Sequence, residues 1–212
     1  PRLALQVLQE ELASAPGEEH ATLRLERARL LESGMASPGE ALAEYRAVLE
    51  LVPTAAPALL GSARLELMSG EGAQALAHAE EAIRSGAPSE VLDGHRLAGR
   101  IAEEMGQAPA AVAHLEAARV LDPTDLGVIQ SLARHYTASG AWEPLTEVMG
   151  QEITLTPDPA ARARLWLRRA LLFRDILDRD RDALRCLREA VAADPMNLEA
   201  VAALRDYALE RG

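Results

Sequence analysis

Prolines recur along this chain at Pro16, Pro53, Pro88, Pro123, Pro157 and Pro195, at separations of 37, 35, 35, 34 and 38 residues. Each follows one amphipathic stretch and precedes another. Proline lacks a backbone N–H and fixes its own φ, so it stops one helix and sets the approach to the next. A period of this length marks a repeated supersecondary unit. Each interval is divided again, at SGMASPGE (Ser33 to Glu40), SGEG (Ser69 to Gly72), MGQAP (Met105 to Pro109), SG (Ser139 to Gly140) and LDRDRD (Leu177 to Asp182). Their Gly, Ser, Pro and Asp content predicts turns joining two helices of roughly 12 to 16 residues.

Apolar spacing supports the same division. Ala41, Tyr45 and Val48 step by four and then three residues, as do Ala75, Ala79 and Ala82, then Ala111, Leu115 and Ala118, and finally Ala183, Leu187 and Ala190. Each set falls on one helical face. Ala4, Leu8 and Glu11 have the same spacing before Pro16. The expected organisation is a single all-α repeat domain over 1–212: a half-repeat at 1–16, helix pairs at about 19–53, 56–88, 91–123, 126–157 and 160–195, and a terminal helix at 197–211. Half-pairs at both ends, with Pro1 where an initiator Met would stand, suggest a segment of a longer array.

A second motif marks the first helix of each pair: Leu97, Ala98 and Ile101, then Leu132, Ala133 and Tyr136, with looser versions at Ala28 and Leu31, Ala63, and Ala170 with Phe173. With the alanine-rich stripe and terminal proline of the second helices, this resembles the tetratricopeptide repeat (TPR) family over nearly the whole chain. The resemblance implies a right-handed superhelical solenoid of antiparallel helix pairs. Small Ala63, Ala98, Ala133 and Ala170 would let helices approach, while Leu97, Leu132, Tyr136 and Phe173 fill the space around them. In the fourth pair Leu145 and Glu152 stand where small residues belong, and Pro144 precedes Leu145. Trp142 is expected to seal a helix-pair corner and Trp166 to pack in the core.

The resemblance also implies a function, namely a scaffold whose first helices line a concave groove for a protein or peptide. Carrying the family's groove positions onto this sequence selects Arg64, His95, Gln130 and Arg134, with Arg174 as an extension beyond an insertion. These long polar side chains point to an extended acidic or mixed-polarity segment as partner. The lysine and asparagine set with which family members hold a terminal carboxylate is not present. Self-association through the terminal helices, Arg2 to Ala13 and Asn197 to Arg211, is the structural alternative, and an enzyme with an unconventional pocket is a third.

Composition narrows the rest. Hydrophobic residues make up 49% of the chain and aromatics only 3%, which favours close-packed helices over sheets. A net charge of -11 argues against nucleic acid or an anionic membrane as partner. No stretch approaches the roughly 20 apolar residues of a membrane span. Cys186, the lone cysteine, rules out an intrachain disulfide. It leaves a periplasmic setting open beside the default cytoplasmic one.

No cofactor, metal ion or catalytic residue is expected. Asp178, Asp180, Asp182 and Glu189 mimic the spacing of a calcium loop, but Ala183 replaces its glycine and already belongs to a helical stripe. Those aspartates are expected to cap the next helix instead. His20, His78, His95, His114 and His135 form no recognisable local site, and Cys186 reads as a packing residue.

Overall fold

The structure, a computed structural model, describes residues 2–34 and 37–211; Met35 and Ala36 of the predicted Ser33 to Glu40 turn lie outside the described residues. Every regular element described is helical. The chain divides into two compact units, Pro1–Leu121 and Asp122–Gly212. The first contains α1 (Arg2–Ser14), a 3-10 turn (Gly17–Glu19), α2 (His20–Ser33), α3 (Pro38–Leu51), α4 (Ala56–Met68), α5 (Gly72–Ser85), α6 (Pro88–Glu104) and α7 (Ala108–Leu121). The second contains α8 (Leu126–Ser139), α9 (Trp142–Leu155), α10 (Pro159–Asp175), α11 (Asp180–Ala193) and α12 (Leu198–Arg211).

Within the first unit α2 packs on α3, α4 on α5 and α6 on α7 as antiparallel pairs, and α4 also lies against both α2 and α6. In the second, α8 packs on α9 and α10 on α11, while α12 covers α11. At 17 residues each, α6 and α10 exceed the predicted helix length.

Backbone chemistry explains where the helices stop. Gly70, Gly106 and Gly140 take φ of 81°, 70° and 69° just after α4, α6 and α8. The next N–H turns back onto the helix: Glu71 donates to the Glu66 carbonyl at 2.8 Å, Gln107 to Ala102 at 2.8 Å and Ala141 to Tyr136 at 2.9 Å. This left-handed glycine cap satisfies carbonyls that the helix end would leave unpaired. The α10–α11 turn has no glycine. There Asp178 takes the positive φ of 52°, and the Arg179 N–H reaches one residue further back, to Phe173 at 2.8 Å. The extra residue accounts for one of the additional residues in the last period.

Here the predicted aspartate capping needs correction. The residue preceding α11 is Arg179, and no side chain caps that helix. Asp180 and Asp182 lie inside its first turn, where they still oppose the positive end of the helix dipole. Asp182 is held by Arg179 and Arg185. True aspartate caps occur elsewhere: Asp125 accepts from the Val128 N–H, and Asp158 from the Ala161 N–H at 2.8 Å.

The stripes become cores. Ala41, Tyr45, Ala63, Ala75, Ala79, Leu97, Ala98 and Ala111 are buried in the first unit. Leu132, Ala133, Tyr136, Ala170, Phe173, Ala183, Leu187 and Ala190 are buried in the second. On α1 only Leu8 of the predicted stripe is buried, and Ala4 and Glu11 stay exposed. The larger side chains take that face, with Leu5 joining the cluster around Tyr45.

The deepest helix is α4, nine of whose thirteen residues are buried. Gly61 permits this: a Cβ there would sit 2.3 to 2.6 Å from the Tyr45 ring, so the ring rests directly on the α4 backbone. Trp142 lies half-buried against Gly140. Trp166 packs against the α10–α11 core as expected, at its margin. Its half-buried indole edges a surface pocket of about 410 Å³ with Arg162 and Glu189, and Arg169 stacks 5.6 Å from its ring centroid.

Candidate functional site

Three groups of polar side chains that cross between helices include expected groove residues. In the second unit, Gln130, Ala133 and Arg134 on α8, Glu152 on α9 and Arg168 on α10 line a depression of about 230 Å³. The Gln130 amide donates to the Glu152 carboxylate at 3.0 Å. Arg134 is exposed and donates to Ser131 Oγ at 2.8 Å, and Arg168 is also exposed. Glu152 replaces a small residue of the repeat pattern, yet it is only 8% exposed. The Gln130 amide is what meets its carboxylate there.

In the first unit, Arg64 on α4 grips Glu32 on α2 with two bonds, Nε to Oε1 at 2.7 Å and Nη2 to Oε2 at 3.1 Å. The Tyr45 hydroxyl donates to the same carboxylate at 2.5 Å. Burial pushes the Glu32 carboxyl upward, but the bonds from Arg64 and Tyr45 outweigh it and hold it below the usual range. Burial and the Glu32 carboxylate together raise the Tyr45 phenol above its ordinary value. Arg64 therefore serves an internal clasp between two first helices.

The third group is the histidine pair. His95 on α6 and His114 on α7 approach to 3.2 Å between their Nδ1 atoms, and Glu80 on α5 lies 3.9 Å from His114 Nε2. Burial lowers both pKa values; His114 depresses His95 further, while Glu80 opposes the shift at His114. Above the ordinary histidine value of about 6.5, folded and unfolded chains both carry neutral rings, and the pair costs no stability. As pH falls through that value the unfolded chain binds protons first, so stability drops until the lower folded values are passed. Denaturant titrations between pH 7.5 and 5 should show a His95→Gln, His114→Gln chain losing less stability than the parent. Equal losses would refute the coupling.

No protein-family model matches the chain, and no curated protein shows significant similarity to it. Solved structures do match. YrrB, described as a TPR protein with an unusual peptide-binding site, aligns with a TM-score of 0.65 at 21% identity, covering 93% of this chain and 97% of its own. MamA aligns at 0.64 with 16% identity, covering 86% of this chain and 96% of its own. PilF of Pseudomonas aeruginosa aligns at 0.64 with 16% identity, covering 96% and 87%. The chain has a TPR-like fold. At these identities the likeness is one of fold alone.

Within this TPR-like fold the five candidate groove residues have different local settings. Gln130 and Arg134 share the α8 depression; Arg64 is clasped to Glu32, His95 packs on His114, and Arg174 pairs with Asp175 at 2.6 Å. Arg168 and Glu152 join the depression unforeseen. The histidines were each visible in the sequence but not their partnership. Distance from the turn offers a signal: His95 and His114 lie 11 and 8 residues either side of Gly106, and Gln130 and Glu152 lie 10 and 12 either side of Gly140. Antiparallel helices bring such mirror positions together.

These polar groups tie helices together rather than activate a nucleophile. Cys186 is fully buried, and burial pushes its thiol up, the reverse of what a reactive thiolate needs. Among the described residues no group of three or more His, Cys, Asp or Glu is placed to hold a metal ion. No helix described is long and apolar enough to cross a membrane.

Proposed function

We propose that this chain is a protein-interaction scaffold that holds an extended segment of acidic or mixed polarity against α8 and α10. The carrying observation is the depression in which Gln130, Arg134, Glu152 and Arg168 converge over Ala133. Its two guanidiniums suit carboxylates, and the amide–carboxylate pair offers a donor and acceptor for a peptide backbone. The peptide-binding site named for YrrB supports a peptide as ligand class.

The test is fluorescence anisotropy of labelled acidic, neutral and basic octapeptides. The acidic series should bind best, and Arg134→Glu with Arg168→Glu should weaken it by at least about tenfold, equivalent to about 1.4 kcal/mol. Unchanged affinity in the double variant would reject the site.

A second reading, self-association, draws on the exposed Met196, Leu198, Val201 and Leu209 on and beside α12. Light scattering across concentrations separates it from the first.

A further inference from the structure

Helices α6 and α7 come together at a glycine. A Cβ on Gly99 would lie 3.0 Å from the Leu115 side chain, so the missing side chain sets how near the two helices run. His95 stands one turn before Gly99 on α6, and His114 immediately precedes Leu115 on α7. Their rings are thereby brought to 5.4 Å between centroids with a tilt of 46°, Nδ1 facing Nδ1 at 3.2 Å.

Two neutral imidazoles can share that contact only if one Nδ1 carries a hydrogen and the other a lone pair. A metal ion can take the hydrogen's place. Two nitrogens each bound at 2.0–2.1 Å to a tetrahedral zinc ion stand about 3.3 Å apart, close to the separation already present here. On the far side of His114, the Glu80 carboxylate faces Nε2 at 3.9 Å. At that distance it makes no hydrogen bond, but its negative charge favours the hydrogen on Nε2 and leaves Nδ1 to ligate.

We propose that His95 and His114 form a two-histidine site for a divalent transition-metal ion of the zinc and copper class, oriented by Glu80. Ligation is through both Nδ1 atoms. With no group of three or more His, Cys, Asp or Glu so placed among the described residues, the remaining positions on the ion fall to water or to a donor from a bound partner. Affinity is accordingly micromolar, below that of a closed structural zinc site. Burial lowers the pKa of both histidines, so both are in the ligating form at neutral pH.

The experiment uses the whole chain. Isothermal titration with Zn2+ at pH 7.5 is expected to show one equivalent bound. His95→Ala and His114→Ala should each weaken binding at least about tenfold, whereas His20→Ala should leave it unchanged. Since either alanine could loosen the α6–α7 contact, a second measurement uses the unaltered chain: substoichiometric Cu2+ should broaden the ring resonances of His95 and His114 before those of the other three histidines. Absence of zinc binding, undiminished binding in both alanine variants, or uniform broadening of all five rings each overturns the proposal.

Discussion

Truncating Tyr45 to alanine lowers the free energy of unfolding by about 3–5 kcal/mol, the range for a large aromatic removed from a packed site. Tyr45 is fully buried, its ring lies on the α4 backbone at Gly61, and its hydroxyl bonds Glu32. The α4 residue directly facing the ring, Gly61, has no side chain to fill the space it leaves. The converse change tests the same contact. Gly61→Ala forces a methyl into the ring and should cost about 1–3 kcal/mol, but Tyr45→Ala with Gly61→Ala should cost less than the sum of the two. Urea denaturation of the four chains measures this. Strict additivity would show that ring and glycine are not coupled.

The next largest loss follows from His78→Leu, at about 3 kcal/mol. Glu66 on α4 has no exposed surface, and its carboxylate accepts from Arg46 at 3.3 Å and meets His78 Nδ1 at 2.7 Å. Arg46 is half-exposed and also reaches Glu71 at 3.7 Å, so His78 is the closer and more enclosed partner. Leucine in its place leaves a buried carboxylate supported only by Arg46. Glu66→Gln should restore part of the loss in the His78→Leu background, because a neutral amide is less costly to bury without a partner. If the double variant is no more stable than His78→Leu alone, the charge of Glu66 is not what His78 compensates.

The parts of this fold written in local chemistry could be read directly. Prolines at 53, 88 and 123 and the left-handed glycines at 70, 106 and 140 act within a few residues of themselves, so their spacing reported helix ends. Alanine stripes likewise declared which face turns inward. Tyr45 against Gly61 could not be read that way, because the two meet only when separate helix pairs stack and nothing near either residue encodes the other. The backbone of the α10–α11 turn, though not its place, escaped for a different reason: Asp178 adopts a conformation normally left to glycine, and the turn's composition suggested capping instead.

The candidate site was legible by half. Gln130 and Arg134 follow from their register on α8, but Arg168 enters from α10 and Glu152 looked like a defect in its own repeat. Arg64 has the reach and charge expected of a groove residue. Its commitment to Glu32, across 32 residues of sequence, depends on how two first helices pack.

The burial of α4 has a meaning for how sequences of this kind diversify. A helix with nine of thirteen residues enclosed, a ring seated on its backbone and a buried carboxylate held from both neighbours leaves few positions where drift is harmless. Helices such as α8, with five of fourteen residues buried and Gln130 and Arg134 exposed, carry less restraint along that face. Selection acting on partner choice would therefore rewrite α8 many times over before it altered α4, and two descendants could share one interior column while recognising unrelated ligands.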